Sequence, residues 1–287
     1  MRIVITGAAG MLGHDVAAAV RQAGHEPITL ARAELDIVDR DAVDAAVATA
    51  APDVVVNCAA QTDVDRAQEQ PRQALEINGA GAGNVARAAA AAGAWTIHVS
   101  SDYVFDGTKT EPYVESDPVD PRSVYGRSKL EGERAVARAA PGRHTIVRSA
   151  WLFGAAGPCF PQTIRRLAGE RDQLRVVADQ VGCPTFTGHL AAALVALAGR
   201  VGAAPTGVLH VAGGGQCSWF ELAQEVVRAT GGRCEVVPVT TAEFTRPAPR
   251  PAYSVLRSER GADAPQLPDW RQGLAEYLAV TAKLAAV

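Results

Sequence analysis

Short apolar runs, rich in β-branched residues, alternate along much of the chain with longer Ala-rich stretches. The runs predict strands at residues 2–6, 27–30, 53–57, 96–100, 144–148 and 207–211. The intervening stretches predict helices at 11–23, 40–50, 74–92 and 124–140. Fully apolar strands separated by helices are typical of a parallel sheet covered on both faces. The pattern therefore predicts an α/β protein with a Rossmann-type, doubly wound sheet.

After Trp151 the alternation weakens. We expect a short strand at 173–177, helices at 189–197, 218–230 and 274–284, and a loop over 237–251, where four prolines interrupt the chain. This change of pattern predicts two lobes. Residues 1–150 plus roughly 179–212 would form a dinucleotide-binding lobe, and residues 151–178 plus 213–287 a smaller α/β lobe for the substrate.

Composition narrows the class of partner. The chain has 287 residues, a hydrophobic content of 48% and a net charge of −3, so it can bury a core but offers no basic face for nucleic acid. No apolar run has the length of a membrane span. The five cysteines include no CxxC pair, which argues against a disulfide framework or a zinc site and favours a reducing cytoplasm. No other metal site is predicted.

A glycine-rich turn follows the first predicted strand and opens the first predicted helix. It reads Thr-Gly-Ala-Ala-Gly-Met-Leu-Gly over residues 6–13. Gly7 permits a tight turn, Gly10 lets backbone amides approach a diphosphate, and Gly13 allows the helix to pack closely on the strand. The free amides at the start of the helix favour an anion. The turn therefore predicts a dinucleotide site.

A Tyr-x-x-x-Lys pair lies on the predicted helix 124–140. Tyr125 and Lys129 are four residues apart, so they share one helical face. We expect the lysine cation to lower the pKa of the tyrosine and make it an acid–base catalyst. Ser101 ends the preceding strand and is expected to polarise the same substrate oxygen. Ser100 is the competing serine, but strand alternation directs it to the opposite face.

Several longer segments resemble one family, the dTDP-4-dehydrorhamnose reductases, within the extended short-chain dehydrogenases/reductases. The most specific are Ser-Asp-Tyr-Val-Phe-Asp-Gly at 101–107, Asp-Gln-Val-Gly-Cys-Pro-Thr at 179–185 and Arg-Pro-Ala-Tyr-Ser at 250–254. Asn-Cys-Ala-Ala at 57–60 and Arg-Ser-Ala-Trp at 148–151 agree with them. The resemblance runs from residue 1 to about 280.

The resemblance implies reduction of the 4-keto group of dTDP-4-dehydro-β-L-rhamnose to dTDP-L-rhamnose. Tyr125 would donate the proton, Lys129 would hold the nicotinamide ribose, and Ser101 would bond the substrate oxygen. Asp102 and Trp151 match positions near the sugar. Of the cations Arg246, Arg250 and Arg257, we select Arg250 for the substrate diphosphate.

The resemblance also implies a set of residues for the cofactor: Gly7, Gly10, Met11, Leu12, Gly13, Arg32, Asp36, Ile37, Ala59, Ala60, Gln61, Thr62, Val99, Tyr125 and Lys129. The second predicted strand is followed by Arg32 and has no acid at its tip, which favours the 2′-phosphate of NADPH, with NADH as the alternative. Part of the family uses Mg²⁺ to dimerise, but the terminal helix offers only Glu276 for this purpose. The sequence therefore does not support Mg²⁺, and we expect a monomer or a homodimer.

Two other functions are consistent with these motifs. An epimerase or dehydratase for nucleotide sugars would recycle its nicotinamide, although a 4,6-dehydratase usually carries Glu where Tyr103 follows Asp102. A eukaryotic regulatory subunit of methionine adenosyltransferase also resembles this family, and it binds the cofactor and acts as a partner protein instead of an enzyme. The complete Ser101, Tyr125 and Lys129 set favours an enzyme.

Overall fold

The computed structural model describes residues 1–200, 202–203 and 205–285. Its main sheet consists of β1 (Arg2–Thr6), β2 (Glu26–Leu30), β3 (Val54–Asn57), β4 (Trp95–Ser101), β5 (His144–Ser149) and β10 (Gly207–His210). These strands are parallel and lie in the order β10-β5-β4-β3-β1-β2. The order reverses between β1 and β3, so a crevice opens there at the carboxyl edge of the sheet. The predicted doubly wound α/β fold is confirmed.

Helices cover both faces of this sheet. They are α1 (Met11–Gln22), α2 (Arg40–Ala50), α3 (Val64–Glu69), α4 (Pro71–Leu75), α5 (Ala82–Ala91), α6 (Val124–Ala139) and α8 (Thr187–Ala198). Ile3 and Ile5 pack with α1 and α8, whereas Val4 between them packs with α2 and α5. Successive side chains of a strand point to opposite faces, so both faces need apolar residues.

A second hydrophobic core holds the smaller lobe together. Its elements are β6 (Leu152–Phe153), α7 (Phe160–Glu170), β7 (Gln173–Val177), β8 (Val181–Gly182), β9 (Thr185–Phe186), β11 (Cys217–Ser218), α9 (Trp219–Ala229), β12 (Glu235–Val239) and α10 (Trp270–Ala285). Phe153, Leu222, Trp270 and Tyr277 are buried in this core. Its strands pair in twos, as β7 with β12, β8 with β11 and β6 with β9.

Two predicted elements need correction, and several observed elements were not predicted. The predicted loop 237–251 begins inside β12, where Pro238 lies in a two-stranded sheet and is tolerated because both strands are edges. The predicted helix 74–92 is interrupted by a π-helical segment, Glu76–Gly81, between α4 and α5. Helix α7 was not predicted, although Phe160, Ile164 and Leu167 have helical spacing and pack in the second core.

The chain crosses between the lobes more than once. Helix α8 packs on α1, and β10 pairs with β5, so both belong to the large lobe. Strand β8, which precedes α8, pairs with β11 of the smaller lobe. We propose that the large lobe resumes at α8 and not at residue 179. Among the described residues, no helix combines the length and apolar character needed to span a membrane.

Candidate active site

One large cavity lies at the carboxyl edge of the main sheet, with a volume of about 600 Å³. We call it the main cavity. All but one of the site residues predicted from the sequence line it, namely Gly7, Gly10, Met11, Leu12, Gly13, Arg32, Asp36, Ile37, Ala59, Ala60, Gln61, Thr62, Val99, Ser101, Asp102, Tyr125, Lys129 and Trp151. The exception is Arg250. Residues far apart in the sequence thus meet in one space, of a size typical of ligand sites.

The glycine-rich turn forms one wall of the main cavity. Gly7 has a φ of +68°, and a Cβ there would lie 2.7 Å from the backbone of Ala59. A Cβ on Gly13 would lie 2.3 Å from the carbonyl oxygen of Gly7. Helix α1 begins directly after Gly10, which provides no side-chain cap for the first amides. These features fit a diphosphate, because the backbone approaches closely and its amides are free to donate.

The end of the main cavity beyond this turn is suited to the adenosine part of a dinucleotide. Ile37 is buried, and Asp36 accepts a hydrogen bond from the backbone N–H of Val38 at 3.0 Å, which shapes the turn. Arg32 is exposed and lines the cavity. No ion pair engages its guanidinium among the described residues. This cation is therefore free to meet a phosphate.

The segment after β3 is fixed by amide side chains. Asn57 Oδ1 accepts hydrogen bonds from Thr6 Oγ1 at 2.7 Å and from the N–H of Ala59 at 3.1 Å. Asn78 Oδ1 accepts one from the N–H of Gln61 at 2.7 Å. Asn78 lies in the π-helical segment, and π-helical turns are frequent at functional sites. The sequence analysis missed Asn78, since nothing local indicates its contact with Gln61.

Tyr125, Lys129 and Ser101 come together where α6 crosses the end of β4. Lys129 Nζ donates to the carbonyl oxygen of Val99 at 2.7 Å, which fastens the helix to the strand. Ser101 lies near enough to Tyr125 to influence its pKa. Ser101 Oγ donates to Asp102 Oδ1 at 2.8 Å. All three side chains line the main cavity.

Ser100 has a different role from Ser101. Its backbone borders the main cavity, but its Oγ donates to the carboxylate of Glu133 at 2.6 Å. This bond points the Ser100 hydroxyl into the protein. The geometry therefore favours Ser101 over Ser100 as the serine that meets a ligand.

Burial controls the ionisation of the polar groups in this cluster. It raises the pKa of Tyr125 to about 12, although the hydrogen bond with Ser101 opposes the rise. It lowers the pKa of Lys129 to about 8 and raises that of Asp102 to about 6. The expectation that Lys129 lowers the pKa of Tyr125 was wrong, because desolvation of the phenolate dominates and Lys129 is not among the groups that oppose it.

Two tryptophans line the main cavity together. Trp151 and Trp219 stack with their ring centroids 3.5 Å apart and their planes within 3°. Trp151 has a positive φ of 47°, and a Cβ on Gly182 would lie 2.4 Å from its ring. Trp219 was not predicted. Its position at the start of α9 follows from the helix cap at Ser218, but its contact with Trp151 depends on long-range packing.

Arg250 does not line the main cavity and is already paired. Its Nη2 donates to Asp65 Oδ2 at 2.9 Å in a two-pronged ion pair, and Arg246 Nη1 lies 3.6 Å from the same oxygen. The hydrogen bond from Arg250 holds the pKa of Asp65 below its usual value. Asp65 belongs to α3 of the large lobe, so this pair joins the lobe to the proline-rich loop.

The comparisons with known proteins agree with this geometry. The family model described as the RmlD substrate binding domain matches residues 1–283. The chain belongs to this family. It is 44% identical, over 283 residues, to a dTDP-4-dehydrorhamnose reductase of Mycolicibacterium smegmatis, which covers 97% of this chain and 85% of that protein. The family resemblance seen in the sequence is confirmed.

Solved structures of this family show the same fold. A dTDP-4-dehydrorhamnose reductase from Clostridium acetobutylicum superposes with a TM-score of 0.94 at 41% identity, covering 98% of this chain and 100% of that one. A second from Bacillus anthracis, solved in complex with NADP, gives a TM-score of 0.93 at 35% identity, with 97% and 99% coverage. Within the described residues, no group of three His, Cys, Asp or Glu side chains is placed to hold a metal ion.

Proposed function

We propose that this member of the family reduces the 4-keto group of dTDP-4-dehydro-β-L-rhamnose to give dTDP-L-rhamnose. One observation carries the proposal. The glycine-rich turn and the Ser101–Tyr125–Lys129 cluster line a single cavity, in a chain that matches the reductase family over nearly its whole length. A dinucleotide and a sugar can therefore meet where a proton donor is available.

The residues present fit a nicotinamide dinucleotide. The turn at Gly7 to Gly13 would hold its diphosphate, and Ile37 would pack on its adenine. Arg32 would pair with a 2′-phosphate, so we propose NADPH as the preferred cofactor and NADH as the poorer one. When bound, the reduced nicotinamide supplies the hydride that adds to the carbonyl carbon.

Tyr125 supplies the proton that completes the reduction. Its raised pKa keeps the phenol protonated at neutral pH, so its O–H can donate to the oxygen as negative charge develops there. Ser101 hydrogen-bonds the same oxygen and orients it. Lys129, which lies one helical turn away, would hold the ribose of the cofactor through its cation. Bulk solvent then returns the proton.

Asp102, Trp151 and Arg250 would hold the nucleotide sugar. Asp102 and Trp151 line the main cavity, where they would contact the sugar. Arg250 would have to exchange Asp65 for a phosphate of the substrate. The proposal includes no metal ion, and the expected monomer or homodimer stays a prediction.

The test is to mix the purified protein with dTDP-4-dehydro-L-rhamnose and follow the absorbance of NADPH and NADH in parallel. We expect one reduced cofactor to be consumed for each dTDP-L-rhamnose formed, faster with NADPH. Product formed without net loss of cofactor would indicate an epimerase or dehydratase. Tight binding of NADPH without any turnover would favour a regulatory subunit and contradict the proposal.

A further inference from the structure

Glu133 is a buried carboxylate that the proposed reaction does not use. It lies on α6 one helical turn after Lys129, so both side chains share one face of the helix. Its side chain is 5% exposed. Three hydrogen bonds reach the carboxylate, from Ser100 Oγ at 2.6 Å and from Arg148 Nε and Nη2 at 2.8 and 2.7 Å. The negative charge of Glu133 is therefore paired with groups inside the protein.

These bonds fasten α6 to the two strands at the catalytic edge. Ser100 is the neighbour of Ser101 on β4, and Val99 on the same strand accepts the hydrogen bond from Lys129. Arg148 lies on β5, where Ser149 is in register with Ser101. Glu133 thus connects the helix that carries Tyr125 and Lys129 to the strand that carries Ser101.

Stability of the fold alone does not call for this ion pair. Removing two charges from water costs several kcal/mol, and well-packed apolar residues in place of a buried pair are often as stable or more so. The pair occurs instead next to a buried ammonium group that the reaction requires to be charged. This position indicates that the ion pair acts through its electrostatic effect on Lys129.

We propose that Glu133 is a positioning residue that keeps Lys129 charged and in place, with Arg148 as its counter-ion. The inference rests on the proposed function, because it assumes that the Lys129 cation assists the reaction. Glu133 contacts neither ligand. It acts through Lys129, and through the seating of α6 on β4 and β5.

The ionisation of Lys129 supports this assignment. Burial lowers its pKa to about 8, and the Glu133 carboxylate is the main group that opposes the fall. Cys58 and Tyr125 also face the cluster, but burial raises the pKa of each to about 12. Burial and the Lys129 charge lower the pKa of His98 well below its usual value. Lys129 is therefore the group in this cluster that titrates in the mildly alkaline range.

The experiment compares the pH dependence of kcat/KM in the wild type and in Glu133→Gln, from about pH 6 to about pH 10. Gln keeps the acceptor for Ser100 but loses the charge. We expect the alkaline limb to move to lower pH by about one unit, because activity is lost as pH rises through the pKa of Lys129. The same shift should appear in the pH dependence of NADPH affinity, measured by fluorescence.

A matched control and a second variant separate charge from folding. Glu131→Gln removes an exposed carboxylate on the same helix, which pairs with Arg138 at the surface, and should leave the limb in place. The double variant Glu133→Gln/Arg148→Met removes both members of the ion pair and should fold even if the single variant, which leaves Arg148 unpaired, does not. It should show a smaller shift in the same direction, because the positive charge of Arg148 is removed as well.

The outcomes are distinct. If the alkaline limbs of the Glu133 variants coincide with that of the wild type, whether or not kcat falls, then Glu133 is only structural. That result would overturn the proposal. A wild type that reduces no sugar would refute the proposed function. In that case, the pH dependence of NADPH affinity still decides whether Glu133 controls Lys129.

Discussion

Tyr125 is the residue whose surroundings best match its proposed role. It is enclosed by Ser101, by Asp102 and by the ring of Tyr103, which meets its own ring edge-on with centroids 5.4 Å apart. The loss of water and the charge of Asp102 disfavour the phenolate and outweigh the opposite effect of Ser101. A tyrosine held as a phenol can donate its proton, and the reduction requires this protonated form.

Tyr125→Phe should therefore lower kcat by at least about 100-fold, because it removes the proton donor and keeps the ring. The affinity for NADPH, measured by fluorescence titration, should change by less than about threefold. Tyr253→Phe is the control, since the Tyr253 hydroxyl bonds Gln216 and does not line the main cavity. Unchanged turnover in Tyr125→Phe would remove this residue from the mechanism.

Arg32→Ala should weaken NADPH binding by about tenfold, the loss expected for one charge-assisted contact with phosphate at an exposed site. NADH, which lacks the 2′-phosphate, should bind as it does to the wild type. Calorimetric titration with both cofactors measures the difference. Arg40→Ala removes a nearby exposed cation outside the main cavity and serves as the control. Equal losses for both cofactors would show that Arg32 does not contact the 2′-phosphate.

At the scale of elements, the seating of α6 decides whether the catalytic groups meet. Ser123 caps the helix by accepting the N–H of Gly126 at 3.0 Å. A Cβ on Gly126 would lie 2.1 Å from the carbonyl oxygen of Tyr103. The first turn of α6 therefore lies directly against the turn that follows Ser101, and only a glycine permits that distance.

Gly126→Ala should lower the free energy of unfolding by about 1–3 kcal/mol and reduce kcat, because α6 must move away from Tyr103. Gly169→Ala is the matched control on α7. A Cβ there meets nothing within 4 Å, so the change should stabilise the protein by up to about 1 kcal/mol. Denaturant unfolding measures both. A Gly126→Ala variant as stable and active as the wild type would contradict the close seating.

The sequence was most informative where local chemistry decides the structure. The β-branched runs of β1 and β3 are buried on both faces, and their pattern alone predicts a parallel sheet. The start of α9 was visible because Ser218 and Glu221 form a capping box. By contrast, β12 was missed because its pairing with β7 joins distant segments, and its proline argued against a strand.

The features of the site also fall into those that local sequence patterns predict and those that depend on long-range contacts. The glycine-rich turn and the Tyr125–Lys129 pair obey spacing rules that act within a few residues, so they could be found from the sequence. The stacking of Trp219 on Trp151 joins distant segments of the smaller lobe, and the pairing of Arg250 with Asp65 joins the two lobes. No local pattern encodes such contacts, since they exist only once the chain has folded.

For the whole molecule, the buried Asp102 makes stability depend on pH. Burial raises its pKa from 3.8 to about 6, so the folded state keeps a proton that the unfolded chain releases. This proton contributes at most about 3 kcal/mol to the free energy of unfolding. The contribution is complete below about pH 4 and is lost as the pH rises to about 6.

Asp102→Asn should therefore gain stability relative to the wild type between about pH 4 and about pH 6. Asp65, Asp106 and Asp117 have lowered pKa values and act in the opposite direction, but they are common to both proteins. Thermal unfolding across this range gives the difference, with the exposed Asp120→Asn as the control. A difference that does not vary with pH would contradict the raised pKa of Asp102.

The bridge between Arg250 and Asp65 has a consequence for how the enzyme responds to ionic strength. If the substrate phosphate displaces Asp65, one ion pair replaces another, and salt screens both. Binding then depends on salt only through the difference between two similar attractions. We expect KM for the nucleotide sugar to vary little with added KCl in the wild type and to rise steeply in Asp65→Asn, where the guanidinium starts unpaired. The Asp65 carboxylate would thus make the affinity for the nucleotide sugar nearly independent of the salt concentration.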